Sequence, residues 1–367
     1  MASRNLSDPL LEHDEIEFGS VVIGRNDADR INRKAGTTSK LGVVVIGRNE
    51  GERLIACLRS VSAAAAVVYV DSNSVDGSVQ AARGLGAEIV ELDLSIPFTA
   101  ARARNAGFAR LLTIVSDVTY VQFVDGDCEL GADWLEAAAA FLDRQADAVA
   151  VCGRLRERHP ERSIYNWLCD KEWDRPTGEI RAFAGNVMIR AAALKRVGGY
   201  REDVIAAEED ELCVRLRQAN WRIWRLADEM ALHDAAMLHF KQWWRRAQRT
   251  GYAFAQGAHL HGAPPERHFV REARRAVVWG LLLPSAAIIA TIAVSFGWMA
   301  WLIYPMQLAR LIINKHGAPP DRARVAFFEL LACFPEGLGL AKFWRDRLLH
   351  RRPQLIEHKK IPTSRSA

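Results

Sequence analysis

The chain has 367 residues, half of them hydrophobic, and a formal net charge of +5. That length suits one large domain with attachments rather than a single small fold. Six scattered cysteines with no CxxC pair exclude a zinc-finger spacing and a disulfide framework, and they fit a reducing compartment.

Residues 1–39 read as a polar leader, expected to be disordered. Their first twenty residues hold no apolar core, so no cleaved secretory signal is expected. Within the leader, VVIGRNDADR at Val21–Arg30 is echoed by VVIGRNEGER at Val44–Arg53. Solenoid repeats recur at least three times, and this one does not. Only the second copy is followed by a helix-periodic stretch and a correctly spaced strand, so the first copy is taken as non-catalytic.

From residue 40 to about 240, strand-like and helix-like runs alternate. GVVVIG is a continuous apolar run of the buried parallel kind, followed by a helical stretch through ERLIACLRSV. VVYVD and AEIVEL read as strands on either side of the helix in DGSVQAARGLG. FTAARARNAGFARLL is helical, VTYVQFVD a strand, and ADWLEAAAAFLDRQ a helix. This alternation predicts right-handed crossovers and an open parallel sheet, whose ligands sit at the carboxyl ends of the strands.

Three strands end in polar groups there: Gly47–Glu52, Asp71–Ser74 and Asp125-Gly126-Asp127. Two aspartates flanking one glycine offer hard oxygen ligands for Mg²⁺ or Mn²⁺, which would bridge them to a diphosphate. The plain alternative is a solvated Asp-Gly turn. Asp71 stands where a base or ribose would be read, and Asp76 reads as a helix N-cap. The run AAEEDELCVRLR places Glu209 on one helical face with Leu212, Cys213 and Leu216. Burial and neighbouring acids would raise its pKa and make it the better base. Glu208 and Glu211 are read as acids favoured by the helix dipole. Trp167, Trp173 and Trp221 are candidate acceptor contacts, with core packing as the default for each.

Together these residues resemble family 2 glycosyltransferases, from about residue 40 to 234. The resemblance rests on VVVIGRNEGERL, Asp71, Ala103-Arg104-Asn105-Ala106-Gly107, Asp125-Gly126-Asp127, Ala184-Gly185-Asn186 and Glu208-Glu209-Asp210-Glu211-Leu212. Its order and spacing are more specific than any one motif. It implies a GT-A fold, a Rossmann-like mixed or mostly parallel sheet with helices on both faces, and inversion at the anomeric carbon. It also implies a nucleotide-diphosphate sugar donor bound by Arg48, Asn49, Glu50, Asp71, Arg104 and Asp125. Asp127 and His233 are the implied metal ligands, and Gly185 and Asn186 form the loop at the acceptor and donor. Glu209 is the implied base, with Glu208 and Asp210 as alternatives because Glu replaces the family's usual Asp. Gln242-Trp243-Trp244-Arg245-Arg246 has only part of the QxxRW element of processive synthases.

Residues 241–275 read as an amphipathic linker helix lying on the bilayer. Ala276 to Ala309 carry no charge, and about 20 apolar residues span a bilayer. Arg271, Arg274 and Arg275 precede this run, while Arg310, Lys315, Arg322 and Arg324 follow it. Positive charge on both flanks predicts a hairpin or re-entrant pair over 276–313, with both ends cytoplasmic at the inner membrane. Residues 314–367 read as basic and interfacial; from Lys315 onward eleven Lys/Arg face five Asp/Glu. The expected partners are the donor, a hydroxyl acceptor and the lipid bilayer, with no nucleic acid. A non-catalytic nucleotide-sugar-binding membrane protein is the alternative, against which Asp125, Asp127 and Glu209 stand intact. A nucleotidyltransferase would want a Gly-rich phosphate loop near the first strand, which Arg48 alone does not supply.

Overall fold

A computed structural model describes residues 16–18, 21–23, 41–93 and 95–351. Strands β1 (Ile16–Phe18) and β2 (Val21–Ile23) form a small antiparallel pair. The rest of the expected disordered leader, and Gly24–Arg30 of the first GRN copy, lie outside the described residues.

The main sheet begins with β3 (Leu41–Gly47), β4 (Ala66–Asp71), β5 (Glu88–Glu91) and β6 (Tyr120–Asp125), in the order β5-β4-β3-β6 and all parallel. The crossovers carry α1 (Glu52–Ser60), α2 (Ser78–Gly84) and α3 (Ala100–Ile114). Val43, Val44 and Val45 are all fully buried, so β3 shows no in–out alternation; the sheet is covered on both faces. Helix α3 is capped by Thr99, whose side chain accepts from the Arg102 amide. It lies close on the sheet at Gly107, where a Cβ would meet Val44 at 2.4 Å and Val70 at 2.8 Å.

Beyond β6 the sheet becomes mixed. Gly126 and Asp127 alone separate β6 from β7 (Cys128–Leu130), too short a link for a parallel crossover. Strand β7 therefore goes to the far edge of the sheet. After α4 (Trp134–Arg144), β8 (Ala148–Glu157) and α5 (Ile164–Trp173), a short β9 (Gly178–Ile180) leads to β10 (Val187–Arg190). Strand β10 runs antiparallel between β6 and β8. Helices α6 (Ala191–Arg196) and α7 (Glu208–Gln218) then lead to β11 (Arg222–His233), which is parallel to β8 and antiparallel to β7 and β9. The result is the mixed GT-A sheet with flanking helices.

Four C-terminal helices follow: α8 (Phe240–His261), α9 (Val270–Ala293, with a π turn over Val278–Leu282), α10 (Ile303–Ile313) and α11 (Pro319–Leu348). Helix α8 is amphipathic as expected. Its Trp243, Ala247, Tyr252 and Gln256 are buried, and Tyr252 packs with Ile205, Leu340 and Phe343. Its apolar stripe is thus covered by protein. Helix α11 is likewise more than interfacial, since Ala326, Leu330, Cys333, Leu340 and Phe343 are buried.

Glycines set these crossings. A Cβ on Gly251 would stand 1.9 Å from the Glu336 carbonyl oxygen, and one on Gly339 1.9 Å from that of Gln248. Gly280 of α9 approaches the Cys333 carbonyl equally closely. Arg275 adds an ion pair to Glu336 at 2.6 Å, and Lys315 one to Glu329 at 2.5 Å.

Among the described residues, α9 alone is long and apolar enough to cross a membrane, with 24 residues. Those residues extend about 36 Å at the helical rise. Ile292 is 81% exposed, Phe296 75% and Met306 71%, a density of bare apolar side chains unlike the sheet domain. Trp301 Nε1 donates to Thr291 Oγ1 at 3.2 Å, and Tyr304 donates its hydroxyl to the Trp279 carbonyl at 2.9 Å. The segment after the turn at Ser295 and Phe296 thereby folds back on α9.

The glycine crossings generate a stability test. Gly251→Val and Gly339→Val each force two helix backbones apart and are expected to cost about 1–3 kcal/mol. The readout is the thermal midpoint in detergent; midpoints equal to wild type would mean that the crossing is wider than described.

Candidate active site

Because β3, β4 and β6 are parallel and in register, Gly47 stands beside Asp71 and Ile46 beside Asp125. The polar residues that follow each strand are therefore neighbours at one edge. Asp71 is buried, accepting from the Tyr69 hydroxyl at 2.9 Å and the Ser74 amide at 2.8 Å. Asn49 adopts a left-handed conformation (φ 55°), its amide donating to Ser74 Oγ at 2.9 Å while its side-chain oxygen accepts from Val75 N at 2.8 Å. The two loops expected to hold the nucleotide are thus stitched together. Arg48 lies half-buried beside them. Glu50 turns inward to Arg53 at 2.6 Å, and Arg53 also donates to the Asp234 carbonyl at 3.1 Å. Asp76 is not itself the N-cap of α2, which is Gly77 in the left-handed region. Asp76 instead accepts from the Ser78 amide and from the Gly51 amide, both at 3.1 Å, joining the same two loops.

Asp127 is directed into the protein. Its Oδ2 lies 3.2 Å from His233 Nε2, and the Asp234 amide donates to its carbonyl at 3.0 Å. Antiparallel pairing of β11 with β7 sets His233 opposite Cys128, and the Trp173 ring meets the imidazole edge-on at 4.8 Å. Ligand atoms of Asp127, Cys128 and His233 all lie within 4.8 Å of one another. Burial, reinforced by the charges of Asp127 and Asp125, pushes the Cys128 thiol well above its ordinary pKa. Hard cations such as Mg²⁺ and Mn²⁺ favour the carboxylate and imidazole of this group over its sulfur. Sequence reasoning did not single out Cys128; its adjacency to Asp127 was the available signal.

Arg104 ties the remaining residues together. Its guanidinium is buried and reaches Glu208 at 2.7 Å, Glu209 at 3.0 Å and Asp125 at 3.1 Å, lying over the Tyr200 ring. The neighbouring Asn105 donates to the Tyr200 carbonyl at 2.8 Å and accepts from the Tyr200 amide at 2.8 Å. One motif, Arg104-Asn105-Ala106-Gly107, thus serves the acids, the loop before α7 and the sheet. A Cβ at Gly185 would lie 2.5 Å from Asp125 Oδ2 and 2.8 Å from Arg104 Nη2, so a side chain there would displace the Arg104–Asp125 contact. Asn186 accepts from the Asp125 amide at 3.0 Å and donates to Cys128 Sγ at 3.2 Å. Gly185 and Asn186 accordingly bear on the Asp125 end of the site.

Glu208 and Glu211 are not solvated acids at a helix N-terminus. Glu208 is buried on Arg104, and Glu211 is buried between Arg215 at 2.7 Å and His261 at 3.0 Å. Burial, with the charge of Glu208 beside it, raises the pKa of Glu209 to about 8 against the opposing pull of Arg104. Burial also raises Asp210, to about 7, opposed chiefly by Arg175. Glu209 therefore shares the Arg104 cluster with Asp125, while Asp210 looks toward other cations. The expected set gathers into two adjoining groups: the nucleotide-side loops, and the Asp125–Arg104–Glu209 cluster beside Asp127 and His233. Trp167 lies instead between Lys171 and Arg324, and Trp221 packs against the main core.

Residues 42–191 match the family model described as Glycosyl transferase family 2. Among solved structures, a mannosyltransferase from Pyrobaculum calidifontis in complex with GDP-Man and Mn²⁺ aligns with TM-score 0.56 and 21% identity. The alignment covers 86% of this chain and 93% of that one. Glucosyl-3-phosphoglycerate synthase from Mycobacterium tuberculosis aligns with TM-score 0.45 and 16% identity, over 65% of this chain and 85% of that one. No curated protein matches the sequence. The matched segment and the fold are consistent with a family 2 glycosyltransferase. The protein is a glycosyltransferase, a class that transfers sugar from a nucleotide-sugar donor.

Removing the guanidinium should expose how much the cluster depends on it. Arg104→Met leaves Glu208, Glu209 and Asp125 without their cation, an expected loss of about 3–5 kcal/mol. Glu209 has a raised folded-state pKa, so its contribution to stability is complete below the ordinary carboxyl range and is lost as pH rises through about 8. Without Arg104 that loss steepens. The difference in thermal midpoint between variant and wild type should therefore widen from pH 5 to pH 8; a constant difference would refute the coupling.

Proposed function

We propose that this enzyme is an inverting glycosyltransferase, moving a sugar from a nucleotide-diphosphate sugar to a hydroxyl acceptor at the cytoplasmic face of the inner membrane. The observation that carries the catalytic part is the cluster in which Arg104 holds Glu209 and Asp125 beside the Asp127–His233 pair. Glu209 takes the proton from the acceptor hydroxyl, whose oxygen attacks the anomeric carbon as the nucleoside diphosphate departs from the opposite side. A single displacement of this kind inverts configuration. Arg104 keeps Glu209 charged enough to act and fixes its carboxylate in place.

The proximity of a carboxylate oxygen and an imidazole nitrogen in Asp127 and His233 fits Mg²⁺ or Mn²⁺. Bound there, the ion neutralises charge on the leaving diphosphate. The complex of the Pyrobaculum mannosyltransferase with GDP-Man and Mn²⁺ accords with this assignment. Asn49 and Asp71, joined through the Ser74 loop, form the nucleotide side, with Arg48 and Glu50 next to them. The bare apolar surface of α9 and α10, with arginines at both ends, supports insertion as a helical hairpin.

Detergent-solubilised protein supplied with a panel of nucleotide sugars and Mn²⁺ tests the reading through release of nucleoside diphosphate. Asp127→Ala should abolish release and weaken nucleoside diphosphate binding only when metal is present; full activity in saturating Mn²⁺ would refute the metal assignment. Glu209→Gln should lower turnover by at least about a hundredfold with donor affinity retained, the signature of a lost base. If Asp210→Asn is the inactive variant and Glu209→Gln turns over normally, the base is misassigned. Wild-type transfer should rise with pH through about 8 as Glu209 ionises.

A further inference from the structure

Strand β11 reaches His233 through an interrupted ladder. Its pairing with β8 shifts register between Arg225 and Glu229 and again between Glu229 and Ala231, before His233 comes to lie beside Glu157. Regular strand pairing alone therefore does not fix where the imidazole stands. The backbone that follows is tied down instead. The His233 carbonyl accepts from the Arg158 amide at 2.8 Å, and the Asp234 amide donates to the Asp127 carbonyl at 3.0 Å. The Ala235 amide donates to Glu157 Oε2 at 3.1 Å, and the Met237 amide to Asn166 Oδ1 at 2.9 Å. Between them Ala236 is held in the left-handed region (φ 46°), which a residue with a side chain keeps only where its neighbours enforce it.

Glu157 and Asn166 are 4% and 0% exposed, and Asn166 Nδ2 donates to Glu157 Oε1 at 3.1 Å. The His159 amide is the third donor to that carboxylate, also at 3.1 Å. Three N–H groups thus converge on Glu157, and only a side chain that accepts at both oxygens satisfies them. A glutamine would turn its own NH₂ group on one of the donors. Helix α5 carries Asn166 and also Trp173, whose ring meets the His233 imidazole at 4.8 Å. One helix therefore bears on both the ring of His233 and the backbone after it.

We infer that Glu157 and Asn166 are positioning residues, which lock the turn after β11 and so hold His233 against Asp127. The inference rests on the metal assignment of that pair above. A ligand held loosely binds its ion less well, so the clamp contributes metal affinity and not only stability.

The test uses the full chain in detergent with Mn²⁺ as the probe, the free ion being measured by electron paramagnetic resonance. Glu157→Gln and Asn166→Leu should each weaken Mn²⁺ binding by about tenfold or more. In a His233→Ala background the same substitutions should change it by less than about twofold, because their effect passes through the imidazole. A second readout needs no metal. The ring-proton resonance of His233, displaced by the Trp173 ring and identified by its absence in His233→Ala, should move or broaden in both variants. His159 apart, the other histidines should keep their positions. Glu157→Asp, which keeps the carboxylate but draws it back by one methylene, serves if either variant does not fold. Unchanged Mn²⁺ affinity, an equal loss with and without His233, or an undisturbed His233 resonance would overturn the inference. Wild-type protein that binds no Mn²⁺ would count against the metal assignment, and the resonance would then decide the clamp alone.

Discussion

The guanidinium of Arg104 is the interaction on which the site depends. It sits on a helix packed against the parallel half of the sheet, and it gathers acids from a strand end and from a helix about a hundred residues further on. Three carboxylates this close repel one another, and burial raises the pKa of Glu209 among them. One cation among them permits a partly ionised cluster to persist away from water. The surroundings are built to keep it there: Gly185 leaves room for the contact, Tyr200 covers it, and Asn105 fixes the loop that carries Tyr200.

The sheet supplies this geometry through its change of direction. Three parallel strands bring Gly47, Asp71 and Asp125 to one edge, the side proposed for the nucleotide. The antiparallel half then returns β11 to that edge, so that His233 arrives opposite Cys128 and beside Asp127. A wholly parallel sheet would leave no strand to deliver a second ligand there. The irregular pairing and the metal-type pair are two aspects of the same topology.

The C-terminal helices are tied to this domain and are not a mere appendage. Helix α8 seats Gln256 against the loop before α7 and meets α11 through glycines, while α9 shares the Arg275–Glu336 pair with α11. Close backbone approach makes these contacts stiff, because a carbonyl oxygen cannot move aside as a side-chain end can. The exposed apolar surface of α9 and α10 is therefore fixed with respect to the catalytic edge.

Much of this was legible in the chain itself. The continuous apolar runs of β3, β4 and β6 announced buried parallel strands, and the short polar segments after them marked the edge at which the proposed site lies, because side-chain period and strand-end position are local properties. The helical register of residues 208–216 set Glu209 on the face of Leu212, Cys213 and Leu216, and it remains the proposed base. Local spacing could not reveal what Glu208 and Glu211 do, since their partners Arg104 and His261 lie far away in sequence. Nor could it show that β10 would run backwards or that α8 would find its cover in α11. Those outcomes depend on which distant segments meet, and the pairing of buried charges is decided only when the chain has closed around them.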